Sequence, residues 1–312
     1  MAWYNRVSKL YQSSREIDFD EDSRIVIMSD CHRGDGSFAD SFAKNRNLFT
    51  AALYYYYVNN YTYIELGDGD ELWENRRISE IVSTYPEIFQ LMSRFHKDNR
   101  LYMMLGNHDY VKRKEAFIKK RFEKHKDALS GKIITLFPNI KVYEGLLLRY
   151  ACTDNRIFLM HGQQADFLNG PAWKLTRFMV RYLWKPLEIL GVNDPTSAAK
   201  SSKRKLNVEK KLMHWAKKEN QILIAGHTHR YAYPKPGDSP YFNDGCCVTG
   251  SFITAMEIRN GCITLVKWSF KTRADGTVYV GRDVLAGPRK LKRYFSLLEK
   301  KPYENMFSPA AL

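Results

Sequence analysis

Residues able to bind metal ions recur in five short motifs: Asp30-Cys31-His32, Gly67-Asp68, Gly106-Asn107-His108-Asp109, His161-Gly162 and Gly226-His227-Thr228-His229. They offer two carboxylates (Asp30, Asp68), one amide (Asn107) and four imidazoles (His32, His161, His227, His229), with His108 and Asp109 left over. Hard oxygen donors mixed with imidazoles suit first-row divalent ions such as Mn, Fe, Co, Ni or Zn. Seven ligands exceed one tetrahedral site and fit two ions that share a bridging carboxylate. The chemistry expected is that of a binuclear metal centre.

Such a centre needs elements that bring distant residues together. Each motif follows an apolar, strand-like run: RIVIMS, YTYIEL, LYMML, RIFLM and QILIA. A strand end delivers its side chains to one edge of a sheet, so five strand ends can converge on a point. Between Arg24 and Met160 these runs alternate with helical patterns, over Phe38–Asn59, over Glu74–Asp98 with an interruption at Pro86, and over Asp109–Asp127 with its lysines 112, 114, 119 and 120. That alternation predicts an α/β layered domain. From Cys246 onward β-rich runs are split by Asn260-Gly261, a hairpin signal. The expected fold class is mixed α/β, a two-sheet β-sandwich flanked by helices, with residues 1–312 as a single domain.

The stretch between His161 and Gly226 interrupts this order and shows no strand signal. In PAWKLTRFMVRYLWKPLEILG, Lys174, Arg177, Arg181, Lys185 and Glu188 make a polar helix face opposite Trp173, Phe178, Met179, Leu183, Trp184 and Leu187. Pro186 should kink or end that helix. A second helix is expected from Thr196 to Lys218, densely basic at Lys200, Lys203, Arg204, Lys205, Lys210 and Lys211. Residues 164–220 thus read as a helical cap inserted between two ligand-bearing strands. The apolar face has packing onto the core as its plainer use. LKRYFSLLEKK near the C-terminus reads as a short basic helix.

Composition bounds the rest. The 312 residues are 44% hydrophobic and 14% aromatic, enough for a sizeable core. No run approaches the roughly eighteen apolar residues that span a bilayer, and the N-terminus lacks the apolar region of a signal peptide. Five cysteines without a CxxC pair predict reduced thiols and a cytoplasmic protein. Cys31, between two ligand candidates, is assigned to packing by strand alternation. The net charge of +15 favours an anionic partner: a phosphorylated or lipid-linked substrate, peripheral contact with an anionic membrane, or nucleic acid, against simple solubility.

The five blocks, in this order and at these intervals, resemble the calcineurin-like metallophosphoesterases, whose pattern is D-x-H, G-D, G-N-H-[DE], H and G-H-x-H; the likeness spans roughly residues 24–260. The resemblance implies the calcineurin-like phosphoesterase fold. It also implies that Asp30, His32 and His229 hold one metal ion, that Asn107, His161 and His227 hold another, and that Asp68 bridges them. Manganese is the ion it favours. It implies hydrolysis of a phosphoester or pyrophosphate bond by a metal-bridging hydroxide, two ions roughly 3.5–4 Å apart ionising the shared water. His108 would serve as general acid and Asp109 would orient it, although Asp109 could equally cap the helix expected after it. Arg33, Asn107, Asp166 and Arg230 are the candidate substrate contacts. Asp166 and Asn169 are as well suited to helix capping as to binding, whereas Asp70 and Glu71 read as solvated loop acids. His96, His125 and His214 read as ordinary surface or core histidines.

The GHTHR block and the insertion resemble the UDP-2,3-diacylglucosamine pyrophosphatase branch of that family, which implies a nucleotide-sugar-lipid substrate. His108, where that branch usually has Arg, and the Gly67-Asp68-Gly69-Asp70-Glu71 loop depart from it. The alternatives are a phosphodiesterase or nuclease acting on nucleotides or nucleic acid, a protein phosphatase, for which no peptide groove is legible, and a non-enzymatic scaffold that keeps the fold. The scaffold is disfavoured because all seven ligand positions are filled.

Overall fold

The structure, a computed structural model, describes residues 2–126, 131–151, 153–166 and 202–299. Two sheets lie face to face. The larger has seven strands in the order β14-β13-β12-β2-β3-β4-β7, and the smaller has five in the order β1-β8-β9-β10-β11. The first is built from β2 (Arg24–Met28), β3 (Thr62–Glu65), β4 (Leu101–Met104), β7 (Val142–Tyr143), β12 (Phe252–Arg259), β13 (Cys262–Thr272) and β14 (Val278–Lys290). The second comprises β1 (Arg15–Phe19), β8 (Gly145–Tyr150), β9 (Arg156–Met160), β10 (Ile222–Ala225) and β11 (Tyr241–Asn243). A small antiparallel pair, β5 (Lys124–Lys126) with β6 (Ile133–Thr135), stands apart.

The near-continuous apolar runs are those of strands covered on both faces. Within RIVIM, Ile25 and Ile27 enter the core between the sheets, where they meet Ile64, Leu148, Leu159 and Ile224. Val26 and Met28, pointing the other way, join a second core under the helices. The same division splits β9 and β10: Ile157, Leu159, Ile222 and Ile224 face inward, whereas Phe158, Met160, Leu223 and Ala225 form a third core with Trp215 and Leu212. The parallel pairs β2–β3 and β3–β4 are joined by helical crossovers, α2 (Arg46–Val58) and the pair α3 (Ile78–Thr84) and α4 (Pro86–Lys97). Pro86 sits in the first turn of α4, where its missing N–H costs nothing. Asn260 and Gly261, both at positive φ, turn β12 into β13 as their dipeptide predicts.

Several element boundaries differ from expectation. The helix expected from Phe38 begins at Arg46, after a short 3-10 turn at Ala43–Asn45. The buried Asp40 carboxylate accepts the backbone N–H groups of Gly36 and Phe42, giving that segment an alternative to helical hydrogen bonding. The expected charged helix from Asp109 is instead a 3-10 turn (Tyr110–Arg113), a short helical turn (Glu115–Phe117) and a π turn (Ile118–Phe122) leading into β5. Lys112, expected among the basic residues of that helix, is drawn inward between two carboxylates. The N-terminal residues add α1 (Ala2–Ser13) and the edge strand β1, which pairs parallel with β8.

In the insertion, α5 (Ser202–Lys218) packs Val208, Leu212 and Trp215 onto the smaller sheet. The helix expected over residues 171–191 and the start of the second helix lie outside the described residues. The C-terminal helix is α6 (Leu291–Glu299). No helix among the described residues is long and apolar enough to cross a membrane. Cys31, Cys246, Cys247 and Cys262 are free thiols, and Cys31 is buried in the helix-side core.

Candidate metal centre

The ligand candidates sit on the loops leaving β2, β3, β4, β9 and β10. Backbone hydrogen bonds lace these loops together: Asp30 N to Gly67 O at 3.1 Å, His32 N to Asp68 O at 2.9 Å, and Gly226 N to His161 O at 3.0 Å. Asp30, His32, Asp68, His227 and His229 all lie at positive φ, between 47° and 69°. The other non-glycine residues at positive φ among those described are asparagines. A left-handed residue costs free energy, and such costs concentrate where surrounding structure imposes them for function. Five of the seven ligand candidates carry that cost.

Two groups of donor atoms converge. In the first, His229 Nε2 is 3.0 Å from Asp30 Oδ1 and 3.3 Å from His32 Nε2. In the second, His161 Nε2 is 3.1 Å from Asp68 Oδ2, with His227 beside them. The groups adjoin through Asp68 and Asp30, since His32 Nε2 lies 3.7 Å from Asp68 Oδ2 and His161 Nε2 lies 3.9 Å from Asp30 Oδ1. Both Asn107 side-chain heteroatoms are buried with no hydrogen-bond partner, and Asp30 Oδ1 and His161 Nε2 are met only by other ligand candidates. Unpaired buried polar atoms of this kind are costly and rare. The Asn107 loop meets the cluster through the His108 N–H, which Asp68 Oδ1 accepts at 2.8 Å, and divalent ions would satisfy these donors. The residues present fit such ions.

The charge states agree with this. Burial alone would raise the Asp30 and Asp68 carboxyls, but the imidazoles around them outweigh it and hold both below the usual carboxylate range: His229 and His161 at Asp30, His161 and His108 at Asp68. Burial pulls the His161 and His229 imidazoles down, yet Asp68 and Asp30 more than reverse it and raise both to about 9. These two histidines therefore carry protons where divalent ions would otherwise bind. Beneath Asp30, Ser29 Oγ lies 2.8 Å from Asp244 Oδ1 and also bonds Asp30 Oδ2. Burial and the Asp30 charge push the Asp244 pKa well up.

Neighbouring groups fix the ring nitrogens. His161 Nδ1 donates to Leu66 O at 3.0 Å, leaving Nε2 as the ligand atom. His32 Nδ1 lies 2.9 Å from Glu71 Oε2. The same carboxylate lies 2.7 Å from His108 Nδ1, and His108 stacks on Trp73 with ring centroids 4.2 Å apart. Glu71, expected to be solvated, is buried and orients both imidazoles. Asp109 does not orient His108. Its carboxylate accepts Gly106 N at 2.8 Å and Gly69 N at 3.2 Å and pairs with Lys112, and it makes no cap bond to the turn that follows.

Three expected substrate contacts are also corrected or refined. Arg33 is fully buried, 2.7 Å from Glu65 and 2.8 Å from Asp70, and cannot meet a phosphate; Asp70 is equally buried. Asp166 faces a ligand candidate rather than solvent: its carboxylate lies 3.2 Å from His227 Nε2 and 2.8 Å from Arg204 of α5. With Nε2 so engaged, the other ring nitrogen of His227 is the one left for a metal ion. Asn169 lies outside the described residues. Arg230 stands half-exposed, 3.7 Å from Glu209 of α5. His96, His125 and His214 lie away from the cluster: His96 bonds Pro138 O, His214 packs against Trp3 and Tyr4, and His125 is on β5. Glu71 and Asp166, like Arg33 and Asp109, are site residues that sequence reasoning misplaced. The nearest signal was their closeness to Asp68 and His161 along the chain.

Residues 23–231 match the calcineurin-like phosphoesterase family, and the chain belongs to that family. Among solved structures it is similar to Vps29 of Chaetomium thermophilum, with a TM-score of 0.37 and 13% identity over 85% of this chain and 96% of that one. It is likewise similar to the same protein complexed with a RaPID-derived cyclic peptide, with a TM-score of 0.31 and 12% identity over 84% of this chain and 95% of that one. No curated protein matches the chain.

Two predictions follow from the geometry. A Cβ added at Gly106 would stand 2.0 Å from Asp68 Oδ1 and 2.3 Å from the Asp68 backbone nitrogen. Gly106→Ala should therefore weaken manganese binding by about 10–100-fold with the far-UV circular dichroism retained; unchanged binding in calorimetry would contradict the packing. Because His161 and His229 are protonated below about 9 in the metal-free protein, ion binding must displace their protons. Manganese affinity should rise as pH goes from 6 to 9, with protons released at pH 7. A pH-independent affinity would refute those charge states.

Proposed function

We propose that the protein is a divalent-metal-dependent phosphohydrolase that uses two ions, manganese being among the first-row ions that its mixed oxygen and nitrogen ligands suit. The observation that carries this reading is the convergence of donor atoms in two adjoining groups, Asp30, His32 and His229, and Asp68, His161 and His227, with the partnerless Asn107 amide on the loop whose His108 N–H bonds Asp68. When bound, such ions lower the pKa of a water nucleophile and neutralise charge that builds on phosphoryl oxygens. Asp30, His32 and His229 would hold one ion, Asn107, His161 and His227 the other, and Asp68 both.

His108 is placed to serve the leaving group. Its Nδ1 is committed to Glu71 and its ring is braced by Trp73, so Nε2 remains to donate a proton to the departing oxygen. Its partial exposure, 20%, leaves that edge accessible to a substrate. Glu71 serves both functions of the site, because one carboxylate holds a ligand imidazole and the proton-donating one.

For substrate we favour a phosphodiester or pyrophosphate of the nucleotide-sugar-lipid kind. In support, α5 is anchored against the site by Arg204–Asp166 and by Glu209 Oε1, which accepts from Thr228 Oγ1. Among its basic residues the same helix exposes Leu206 and Met213, seven residues apart, a pairing suited to a lipid interface.

The test is hydrolysis by purified protein, with and without manganese, of an aryl phosphate monoester, an aryl phosphodiester and a UDP-linked acylated sugar. Activity should require the ion, vanish in Asp68→Ala and be highest on the UDP-lipid. His108→Ala should lower kcat by about 10²–10⁴-fold while both ions stay bound. Full activity in His108→Ala, or loss of an ion from it, would overturn its role. Activity on the diester alone would move the substrate toward nucleotides, and no activity on any of the three would contradict the hydrolase reading.

A further inference from the structure

Five charged side chains form an unbroken chain beneath the metal centre, and none is more than 2% exposed: Glu65, Arg33, Asp70, Lys112 and Asp109. Arg33 contacts Glu65 at 2.7 Å and Asp70 at 2.8 Å, and Lys112 contacts Asp70 at 2.6 Å and Asp109 at 2.9 Å. Aromatic rings flank the two cations, with Arg33 over Phe89 and Lys112 over Phe122. Burying five charges is costly, and well-packed apolar residues often serve stability as well or better. Stability therefore gives a poor account of the chain, whereas its termini point to another use. The Asp109 carboxylate takes the N–H of Gly69, the residue after Asp68, on one oxygen and that of Gly106, the residue before Asn107, on the other.

We infer that Asp109 and Lys112 are positioning residues for the ion held by Asn107, His161 and His227: Asp109 staples the Asp68 loop to the Asn107 loop, and Lys112 holds that carboxylate in place. The inference rests on the metal pair proposed above. The separation between the bridging carboxylate and the Asn107 amide is then set in the metal-free protein and not by the arriving ion. The other ligand set depends on different supports, with Glu71 behind His32 and Ser29 behind Asp30. Loss of the staple should accordingly affect the ion held by Asn107, His161 and His227 more than the other, which shares only Asp68 with it.

The experiment is calorimetric titration of manganese into the metal-free full chain, comparing wild type with Lys112→Met. A double variant, Lys112→Met with Asp109→Leu, removes the cation and anion together and so avoids stranding a buried charge. The expected result is two binding steps in wild type. In the variants one step should weaken by about 10–100-fold, the other by much less, and the melting temperature of the metal-free double variant stay close to wild type. Two unchanged steps, or two equally weakened ones, would overturn the positioning role and leave the chain purely structural. A single step in wild type would instead overturn the metal pair itself, and would show before any variant was made.

Discussion

The Asp68 carboxylate is the point on which the site turns. One oxygen accepts the backbone N–H of His108 and the other faces His161 and His32, so a single side chain joins residues delivered by three different strands. It can do so because Asp68 occupies a left-handed backbone conformation at the end of β3, between glycines 67 and 69. Ideal Cβ atoms at Gly67, Gly69 and Gly106 would each lie within 3 Å of neighbouring atoms, so the loops approach more closely than larger residues allow. Close approach brings like charges together, and the imidazoles and buried cations around the carboxylates answer that repulsion.

Fold and site share one constraint. The central parallel strands must be apolar on both faces, and their polar residues are therefore confined to the ends, where the motifs lie. Sheets packed through Ile27, Ile64, Leu159 and Ile224 fix those ends relative to each other, so the ligand positions are as rigid as the core. The insertion reaches the same place by a different route. Asp166, at its start, meets both His227 and Arg204, and Glu209 accepts from Thr228, so α5 touches the candidate ion-binding edge through two carboxylates.

Much of this was legible in the chain. Periodicity located the strands that carry the ligands, Asn260-Gly261 located the hairpin, and the donor types and spacing located the convergence point. Orientation was not legible. Arg33 follows His32, whose positive φ breaks strand alternation, and it therefore turns inward where a phosphate contact was expected. Asp70 and Glu71 looked like solvated loop acids because nothing local shows that Lys112 and two histidines will cover them. Asp109 was assigned to His108 by adjacency, yet its donors are Lys112 and backbone N–H groups from two loops, one of them 40 residues away. Helix boundaries near Asp40 and Lys112 failed for a related reason: a buried charge with a tertiary partner outweighs local helical preference.

The most direct test of this account is anomalous scattering from crystals of the chain grown with manganese. Two peaks are predicted, one among Asp30, His32 and His229 and the other among Asn107, His161 and His227, with Asp68 reaching both. A single peak, or peaks away from Asp68, would contradict the binuclear centre on which the proposed chemistry depends.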